Sequence, residues 1–440
     1  MTSARFPPAH AAARDVAPGT VAAPRLRAVV ATVIGNALEW FDFAAYAFLA
    51  ALIGRHFFPP GNEAVTLLSS FAVFGVGFVA RPLGAIVFGR LGDRSGRKLA
   101  LLIAMPLMGV GTLIVGLTPG YASIGIAAPI LLVLGRVLQG FSAGGELGNA
   151  VAFLLEWAPP RRRALYSSLQ QGSVILGTLL GSGSAALLSS VLSPADLESW
   201  GWRVPFLVGG LVIAPLGLFL RHKVEETPVY QGKAAPQDGC PPGGAPSPWR
   251  LGLQTIGLTS AWVVSYYVFL IYLPSFLPKH AQLSSAQALW ASTAGLAAMM
   301  FSIPAWGWLS DRIGRRPPML VASILCIVAP YPAFLLLVHS PSLAQVYLVA
   351  VAAGVLVGVF AGVGPATMSE LFPTSLRTTG ISVSFGLATA VLGGFAPFLS
   401  AWLIAATGSP LSPTFYVIAA ALVSAFTAAS LRETAHVDLA

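Results

Sequence analysis

The chain has 440 residues, of which 56% are hydrophobic and only 9% are charged. Soluble domains carry about 25% charged residues, because their surfaces face water. The composition therefore excludes a soluble globular enzyme, a disordered protein and a disulfide scaffold, and predicts that a lipid bilayer surrounds most of the chain. The excess of 25 Lys and Arg over 16 Asp and Glu is typical of cytoplasmic loops in a membrane protein.

Long apolar runs begin after a polar N-terminal segment. Residues 1–24 contain no continuous apolar region and predict a disordered cytoplasmic tail, not a cleaved signal peptide. Beyond them, apolar runs long enough to cross a hydrocarbon core of roughly 30 Å recur, and they are continuous rather than alternating, which excludes a β-barrel. The twelve predicted helical spans are 27–54, 65–90, 99–118, 123–155, 164–192, 203–221, 251–277, 286–309, 318–339, 343–369, 377–405 and 412–431.

The positions of the basic residues predict the orientation and the division of the chain. Of the 25 Lys and Arg, 20 lie in the two tails and the even-numbered loops, so both termini are expected in the cytoplasm. The Pro- and Gly-rich stretch 222–250 is interpreted as a flexible cytoplasmic linker. It separates an N-terminal six-helix bundle, 25–221, from a C-terminal one, 251–431, and residues 432–440 form a second cytoplasmic tail.

A charged motif occurs once in each half. Residues 89–98 read GRLGDRSGRK after span 2, and residues 307–316 read GWLSDRIGRR after span 8, with the two aspartates 218 positions apart. A second pair of charges, Glu156 with Arg163 and Glu370 with Arg377, repeats at an offset of 214. Two motifs that recur at nearly one offset indicate a duplicated six-helix unit.

The doubled ten-residue motif resembles the loop 2–3 signature of the major facilitator superfamily. The resemblance implies an all-α membrane protein with twelve transmembrane helices in two pseudo-symmetric six-helix bundles. The glycines let helices approach closely, and the charges are expected to form ion pairs across a cytoplasmic gate, or else only to anchor the loops. The candidate gating residues are Asp93, Arg94, Arg97, Asp311, Arg312, Arg315, Glu156, Arg163, Glu370 and Arg377.

Further segments resemble the metabolite:proton symporter family of that superfamily. The second half looks most like its citrate and tricarballylate members. The resemblance implies uptake of a small metabolite with protons, and the chain end soon after Arg432 disfavours the betaine/proline members that carry a C-terminal coiled coil. The matching segments are GNALEWFDF (35–43), RPLGA (81–85), GRVLQGFSAGGE (135–146), WGWRVPF (200–206), EETP (225–228), RTTG (377–380) and GGFAPFLSAWLI (393–404).

Charged residues within spans are costly in a membrane and are candidates for function. Glu39 and Asp42 are three positions apart and share a helix face, and Arg136 is expected at a similar depth in span 4. A carboxylate–Arg136 pair is therefore predicted to carry the proton, which binds when the arginine moves away. The alternative is a permanent structural ion pair.

The candidate solute-binding residues are polar groups in spans 2, 5 and 7. Arg81 can clamp a carboxylate, reach the membrane interface or pair with Glu146. The remaining candidates can contact solute or only link helices: they are Gln170, Gln171, Ser173 and Tyr266, with Tyr267 and Tyr272 as further pocket residues.

Sequence motifs for catalysis, metal binding and cofactor binding are the next feature to consider. It contains no nucleophile–base set, no G-x-x-x-x-G-K-[ST] motif and no metal motif, so no catalytic residue, metal or cofactor is expected. We predict an inner-membrane symporter that takes up citrate or another di- or tricarboxylate with protons and works as a monomer in lipid without nucleic acid. The alternatives are symport of 2-oxoglutarate, shikimate, betaine or proline, an uncoupled facilitator, or a sensor with the transporter fold.

Overall fold

The computed structural model describes residues 36–37, 39–95, 97–144, 162–222, 247–373 and 376–435. Every regular element within these ranges is helical. The predicted tail 1–24, most of the linker, Glu146 and Glu156 lie outside the described residues. The segment with Asp93, Arg94 and Arg97 is described as backbone only, so the placement of their side chains stays a prediction.

Twelve helices within the described ranges correspond to the predicted spans, and nine of them are long and apolar enough to cross a membrane. Two short helices, Tyr121–Ile124 and Pro194–Ser199, lie between them. The twelve are α1 (39–57), α2 (Glu63–Ser95), α3 (Arg97–Leu117), α4 (Ala127–Ala143), α5 (Arg163–Val191), α6 (Gly201–Phe219), α7 (Pro248–His280), α8 (Ser285–Ile313), α9 (Arg316–Val338), α10 (Leu343–Leu371), α11 (Arg377–Thr407) and α12 (Ser412–Ser430).

Two helix lengths differ from the prediction. The charged motif after span 2 is helical, so α2 continues to Ser95 instead of ending at 90. The predicted span 123–155 begins at Ala127 and is helical to Ala143, and residues 145–161 lie outside the described part. The polar Ser123 belongs to the short helix Tyr121–Ile124, which Gly125 separates from α4 by a positive φ of 57°.

The helices expose apolar and bury polar side chains, as a bilayer requires. Phe426 is 78% and Phe301 is 76% exposed, whereas Arg136 and Gln139 are fully buried. The polar groups therefore collect inside the bundle.

Helices from the two predicted halves pack along a long seam. α5 packs along α8 and α10, and α2 packs against α11. Glycines permit close approach within each predicted half: a Cβ on Gly354 of α10 would collide with the backbone of Gly295 in α8, and one on Gly140 of α4 would collide with the backbone of Gly77 in α2. Small residues at such positions let membrane helices pack through their backbones.

In the described part of the chain, three helices contain a π-helical segment, a feature frequent at functional sites. These segments are Gly209–Ile213 in α6, Tyr267–Tyr272 in α7 and Thr389–Gly393 in α11. Gly209 lies against the Asp42 carboxylate, and Gly393 lies against the ring of Tyr267. The π segments therefore border the polar centre of the bundle.

Candidate functional site

The inner face of α1 carries most of the central site. Glu39, Trp40, Asp42, Phe43 and Tyr46 are all buried. Their spacing of three and four residues places acidic and aromatic side chains on adjoining strips of the same helix face. One short segment of α1 therefore supplies both carboxylates and the rings that surround them.

Arg81 of α2 pairs with Glu39 inside the bundle. Its Nη2 atom lies 3.9 Å from Oε1 of Glu39, and the two side chains are 14% and 8% exposed. The guanidinium carbon also lies 4.4 to 4.6 Å from the ring centroids of Trp40, Phe43 and Phe78. Among the described residues, Nε and Nη2 have no hydrogen-bond partner. Arg81 thus has donors without a hydrogen-bond partner in the described part of the chain, and the predicted alternative partner, Glu146, lies outside it.

Arg136 of α4 is linked to Asp42 by a chain of hydrogen bonds. Its Nη1 donates to Oε1 of Gln139 at 2.8 Å, and Nε2 of Gln139 donates to Oγ1 of Thr112 at 2.9 Å. The hydroxyl of Thr112 donates in turn to Oδ2 of Asp42. Gly77 of α2 makes room for this arrangement, because a Cβ there would lie 3.3 Å from Nη2 of Arg136.

The predicted direct pair between Arg136 and a carboxylate is wrong for this conformation. Within the described part of the chain, Arg136 forms an ion pair with neither Glu39 nor Asp42. Its guanidinium is held instead by Gln139 and by the ring faces of Phe43 and Tyr46, each 4.4 Å from the guanidinium carbon. Cation–π contacts replace a carboxylate as the neighbours of this buried charge.

The hydroxyl of Thr112 has two acceptors within reach. Its hydroxyl oxygen lies within hydrogen-bond distance of both Asp42 and, at 3.0 Å, the carbonyl of Met108. A hydroxyl has one hydrogen, so it donates to one of these acceptors at a time. When Asp42 is protonated, the acid can donate to Thr112, which then turns its hydrogen to Met108. The hydrogen bond between Thr112 and Asp42 is therefore compatible with either protonation state of this carboxyl.

The polar residues predicted in α5 and α7 fall into two groups. Ser173 accepts from the amide of Asn36 at 2.7 Å, and the hydroxyl of Tyr266 donates to Thr178 at 3.0 Å, so both link helices. The amide of Gln170 has no hydrogen-bond partner among the described residues. The second group is buried without a described hydrogen bond between helices, and it consists of Gln170, Gln171, Tyr267 and Tyr272. The hydroxyl of Tyr267, like the amide of Gln170, has no hydrogen-bond partner in the described part.

A second cluster of charges lies at the predicted cytoplasmic end. Oδ1 and Oδ2 of Asp311 accept from the backbone N–H groups of Ala164 and Leu165, each at 3.0 Å. Arg315 donates to Asp311 at 2.8 Å and forms a two-pronged contact with Glu370 at 2.9 and 3.2 Å. The link between α8 and α5 is therefore made by a carboxylate and a helix N-terminus, whereas the ion pairs lie within the C-terminal half.

The segment after α12 completes this cluster. The carboxylate of Glu433 accepts from the backbone N–H groups of Arg315 at 2.8 Å and Arg316 at 3.1 Å. Thr434 donates to Glu370 at 2.6 Å. The segment thus closes over the loop between α8 and α9, where Gly314 has a positive φ of 98°.

The other predicted gating residues have different neighbours. Nε of Arg377 donates to the carbonyl of Ser369 at 2.8 Å, next to Glu370. The guanidinium of Arg312 stacks on Trp308 at 3.8 Å. Arg163, the first residue of α5, is buried.

Sequence reasoning missed Phe43, Thr112, Gln139 and Glu433. Gln139 lies three residues after Arg136, so the sequence could have predicted that the two share a helix face. Phe43 is one of 25 phenylalanines and Thr112 lies in an apolar helix, so neither carries a local signal. Glu433 required knowledge of where the chain returns after α12.

Comparisons with known proteins agree on one family. The family model "Sugar (and other) transporter" matches residues 28–237, and "Major Facilitator Superfamily" matches residues 256–438. The chain is 36% identical over 422 residues to a proline/betaine transporter of Escherichia coli K12, covering 93% of this chain and 84% of the relative. It is 35% identical over 407 residues to a citrate-proton symporter of Klebsiella pneumoniae, covering 92% and 91%.

The fold is also shared with solved structures. A crystal structure of a D-xylose-proton symporter superposes with a TM-score of 0.73 at 19% identity, covering 93% of this chain and 98% of that one. A bundle of twelve membrane helices with charges buried at its centre is the architecture of a secondary transporter. The chain belongs to the major facilitator superfamily, and within it to a family of proton symporters, which confirms the resemblance seen in the sequence. It is accordingly a multi-pass membrane protein.

Proposed function

We propose that this symporter takes up a small zwitterion with one carboxylate, of the proline or betaine kind, together with a proton. The supporting observation is the balance of charges in the described centre. Arg81 and Arg136 are matched there by Glu39 and Asp42, and the hydrogen bonds of Arg81 are incomplete. A zwitterion adds no net charge to this buried site, whereas a tricarboxylate adds several.

The zwitterion binds by exchange of ion pairs. Its carboxylate takes the unpartnered donors of Arg81, a planar group suited to two-pronged binding. Glu39, whose separation from Arg81 is already 3.9 Å, turns to the cationic end of the solute. Arg81 and Glu39 therefore each keep a partner of opposite sign throughout the exchange, which limits the desolvation cost.

Asp42 is the proposed proton carrier. It is buried, and its Oδ1 atom has no hydrogen-bond partner among the described residues. Among the described residues, Arg136 is linked to it through Gln139 and Thr112, so the proton on Asp42 is not opposed by a directly bound arginine there. With Asp42 protonated, the centre has one unmatched positive charge, which favours entry of one carboxylate.

Alternation between the two bundles, 25–221 and 251–431, completes the proposed cycle. Asp311, Arg315, Glu370 and Glu433 hold the cytoplasmic end closed, and the hydrogen bonds from α5 to Asp311 break when this end opens. We further propose that both termini are cytoplasmic, which agrees with the excess of Lys and Arg in the tails and even-numbered loops.

Uptake into proteoliposomes tests this function. One proton with one zwitterion carries one positive charge inward, worth about 2.3 kcal/mol per 100 mV. Labelled proline should accumulate under an inward proton gradient, more strongly at an inside-negative potential. A protonophore should abolish the accumulation, and unlabelled betaine should compete. Proline uptake that only equilibrates and does not respond to the gradient would contradict proton coupling.

Citrate is the second candidate, because a relative with 35% identity is a citrate-proton symporter and the sequence motifs favour a di- or tricarboxylate. Its trianion would need about three protons for neutral entry. Citrate uptake that is insensitive to membrane potential, with no competition by proline, would replace the zwitterion proposal with this one.

A further inference from the structure

One buried ring contacts both central arginines. The guanidinium carbons of Arg81 and Arg136 each lie 4.4 Å from the ring centroid of Phe43, which is only 1% exposed. The two guanidinium carbons are therefore no more than about 9 Å apart. Within the described part of the chain, no other ring stacks on both: Trp40 and Phe78 contact Arg81 only.

Phe43 joins two groups with different proposed tasks. Arg81 belongs to the pair with Glu39 that receives the solute, and Arg136 belongs to the hydrogen-bond chain that ends at Asp42. On α1, Phe43 is the immediate neighbour of Asp42 and lies four residues after Glu39. Phe43 is thus the one ring in the described part of the chain that touches both the solute-binding pair and the proton-binding chain.

A shared ring makes the two arginines depend on each other. The negative face of an aromatic ring attracts a cation within about 6 Å of its centroid, and two cations near one ring also repel each other. A carboxylate bound to Arg81 neutralises one of these cations, so the ring then holds Arg136 more firmly. Arg136 is thereby kept with Gln139 and away from Asp42, which retains its proton while the solute is bound.

We propose that Phe43 is the positioning residue that couples proton binding at Asp42 to solute binding at Arg81. The proposal rests on the function proposed above and adds the contact through which coupling passes. Coupling between two binding events is reciprocal, so a proton on Asp42 must raise solute affinity by the factor by which solute raises proton affinity. The affinity for solute is therefore a measure of the coupling.

Equilibrium binding at two pH values tests the proposal. The probe is labelled proline, or labelled citrate if the wild type takes up citrate alone, bound to the purified full chain at pH 6 and pH 8. We expect wild-type affinity to be about 10-fold higher at pH 6, within the usual range of coupling between sites. Phe43→Leu keeps an apolar side chain but removes the aromatic face. In this variant the ratio of the affinities at pH 6 and pH 8 should fall below about 2-fold.

Phe334→Leu is the matched control. Phe334 is fully buried and contacts Phe269 and Phe276, and no described arginine stacks on it. The Phe334→Leu variant therefore also loses a buried aromatic ring, but without a direct effect on Arg81 or Arg136. The pH dependence of its affinity for solute should match that of the wild type. Equal loss in both variants would overturn the proposal, because it would assign the effect to packing.

A second series separates ring electronics from folding. Fluorinated phenylalanines placed at position 43 keep the ring shape and withdraw electron density from its face, so the pH dependence should decline stepwise with fluorine number. Phe43→Tyr retains the ring face and should retain the dependence. A wild type without pH-dependent affinity contradicts the proposed function, whereas a normal wild type with an unchanged fluorinated series overturns the role of Phe43 alone.

Discussion

The carboxylate of Asp311, in the last turns of α8, accepts hydrogen bonds from two backbone N–H groups in the first turn of α5. The donors are Ala164 and Leu165, each at 3.0 Å. The first N–H groups of a helix have no partner within the helix, and its positive end favours an anion. Asp311 also forms an ion pair with Arg315, so this aspartate of the repeated motif binds an arginine and caps the N-terminus of α5 at the same time. This contact lies at the predicted cytoplasmic end, between the last turns of α8 and the first turn of α5.

Asp311→Asn should therefore favour the cytoplasm-open conformation. An amide has one carbonyl oxygen and no charge, so it cannot accept from both N–H groups and pair with Arg315. Charged hydrogen bonds contribute about 1.5–3 kcal/mol each, so a loss of about 2 kcal/mol corresponds to a roughly 30-fold shift in the conformational equilibrium. Distance measurements between spin labels on the cytoplasmic ends of α5 and α8 report this shift.

Asp196→Asn serves as the control for this variant, since Asp196 lies in the short helix between α5 and α6 and forms hydrogen bonds with Ser193 and Ser199 of its own loop. Its distance distribution should match the wild type. A distribution in Asp311→Asn that stays the same as in the wild type would contradict the role of the contact as a gate.

Asp42→Asn should separate exchange from accumulation. The asparagine can still bond with Thr112 but cannot gain or lose a proton, so a proton gradient has no group to act on. We expect counterflow of labelled solute to remain and gradient-driven accumulation to fall to a ratio of about 1. Glu198→Gln, an exposed carboxylate bound to Arg55, is the control and should accumulate solute normally. Accumulation by Asp42→Asn would assign the proton to another group.

The sequence predicted the architecture well, because burial in lipid imposes a strong and simple pattern. The twelve apolar runs reappear as α1 to α12 in the described part of the chain. Helix ends were less predictable. The charged run to Ser95 continues α2 because intrahelical hydrogen bonds do not require apolar side chains.

The candidate site was only partly predictable. Buried charges stand out in an apolar chain, so Glu39, Asp42, Arg81 and Arg136 were identified from the sequence alone. Their pairing was not, since it depends on the rotation of α1, α2 and α4 about their axes. Arg136 faces the rings of α1 and Gln139 rather than a carboxylate, and no sequence spacing records such a contact.

Arg81→Lys should weaken solute binding although it keeps the charge. Lysine offers a compact ammonium instead of a planar fork, and it stacks less well on the rings of Trp40 and Phe43. The loss of one charged hydrogen bond, about 1.5–3 kcal/mol, predicts a KM raised about 10- to 100-fold. Initial uptake rates over a range of solute concentrations measure it.

Arg55→Lys is the matched control for that substitution, because Arg55 is exposed and pairs with Glu198 away from the centre. Its KM should stay within about 2-fold of the wild type, as surface pairs contribute little. A KM in Arg81→Lys equal to that of the control would show that Arg81 does not bind solute.

Glu433→Gln should loosen the cytoplasmic cluster in a pH-dependent way. Burial opposes the charge on Glu433, but the backbone N–H groups of Arg315, Arg316, Ala435 and Thr434 outweigh it and hold the pKa of this carboxyl below its ordinary value. A lowered folded-state pKa contributes stability above the unfolded value of about 4.3, and this contribution is lost as the pH falls through the folded-state pKa.

The thermal unfolding midpoint in detergent measures this effect. At pH 7 the variant should unfold about 1 °C below the wild type, because Glu433 is partly exposed and its hydrogen bonds contribute about 1 kcal/mol after solvent screening, in a chain of 440 residues. The gap should stay constant from pH 5 to pH 8 and shrink below about pH 4, where the wild-type carboxylate also becomes protonated. Glu63→Gln, at an exposed carboxylate near the start of α2, should show no such gap. A gap that widens with acid would mean that Glu433 stabilises the fold in its protonated form.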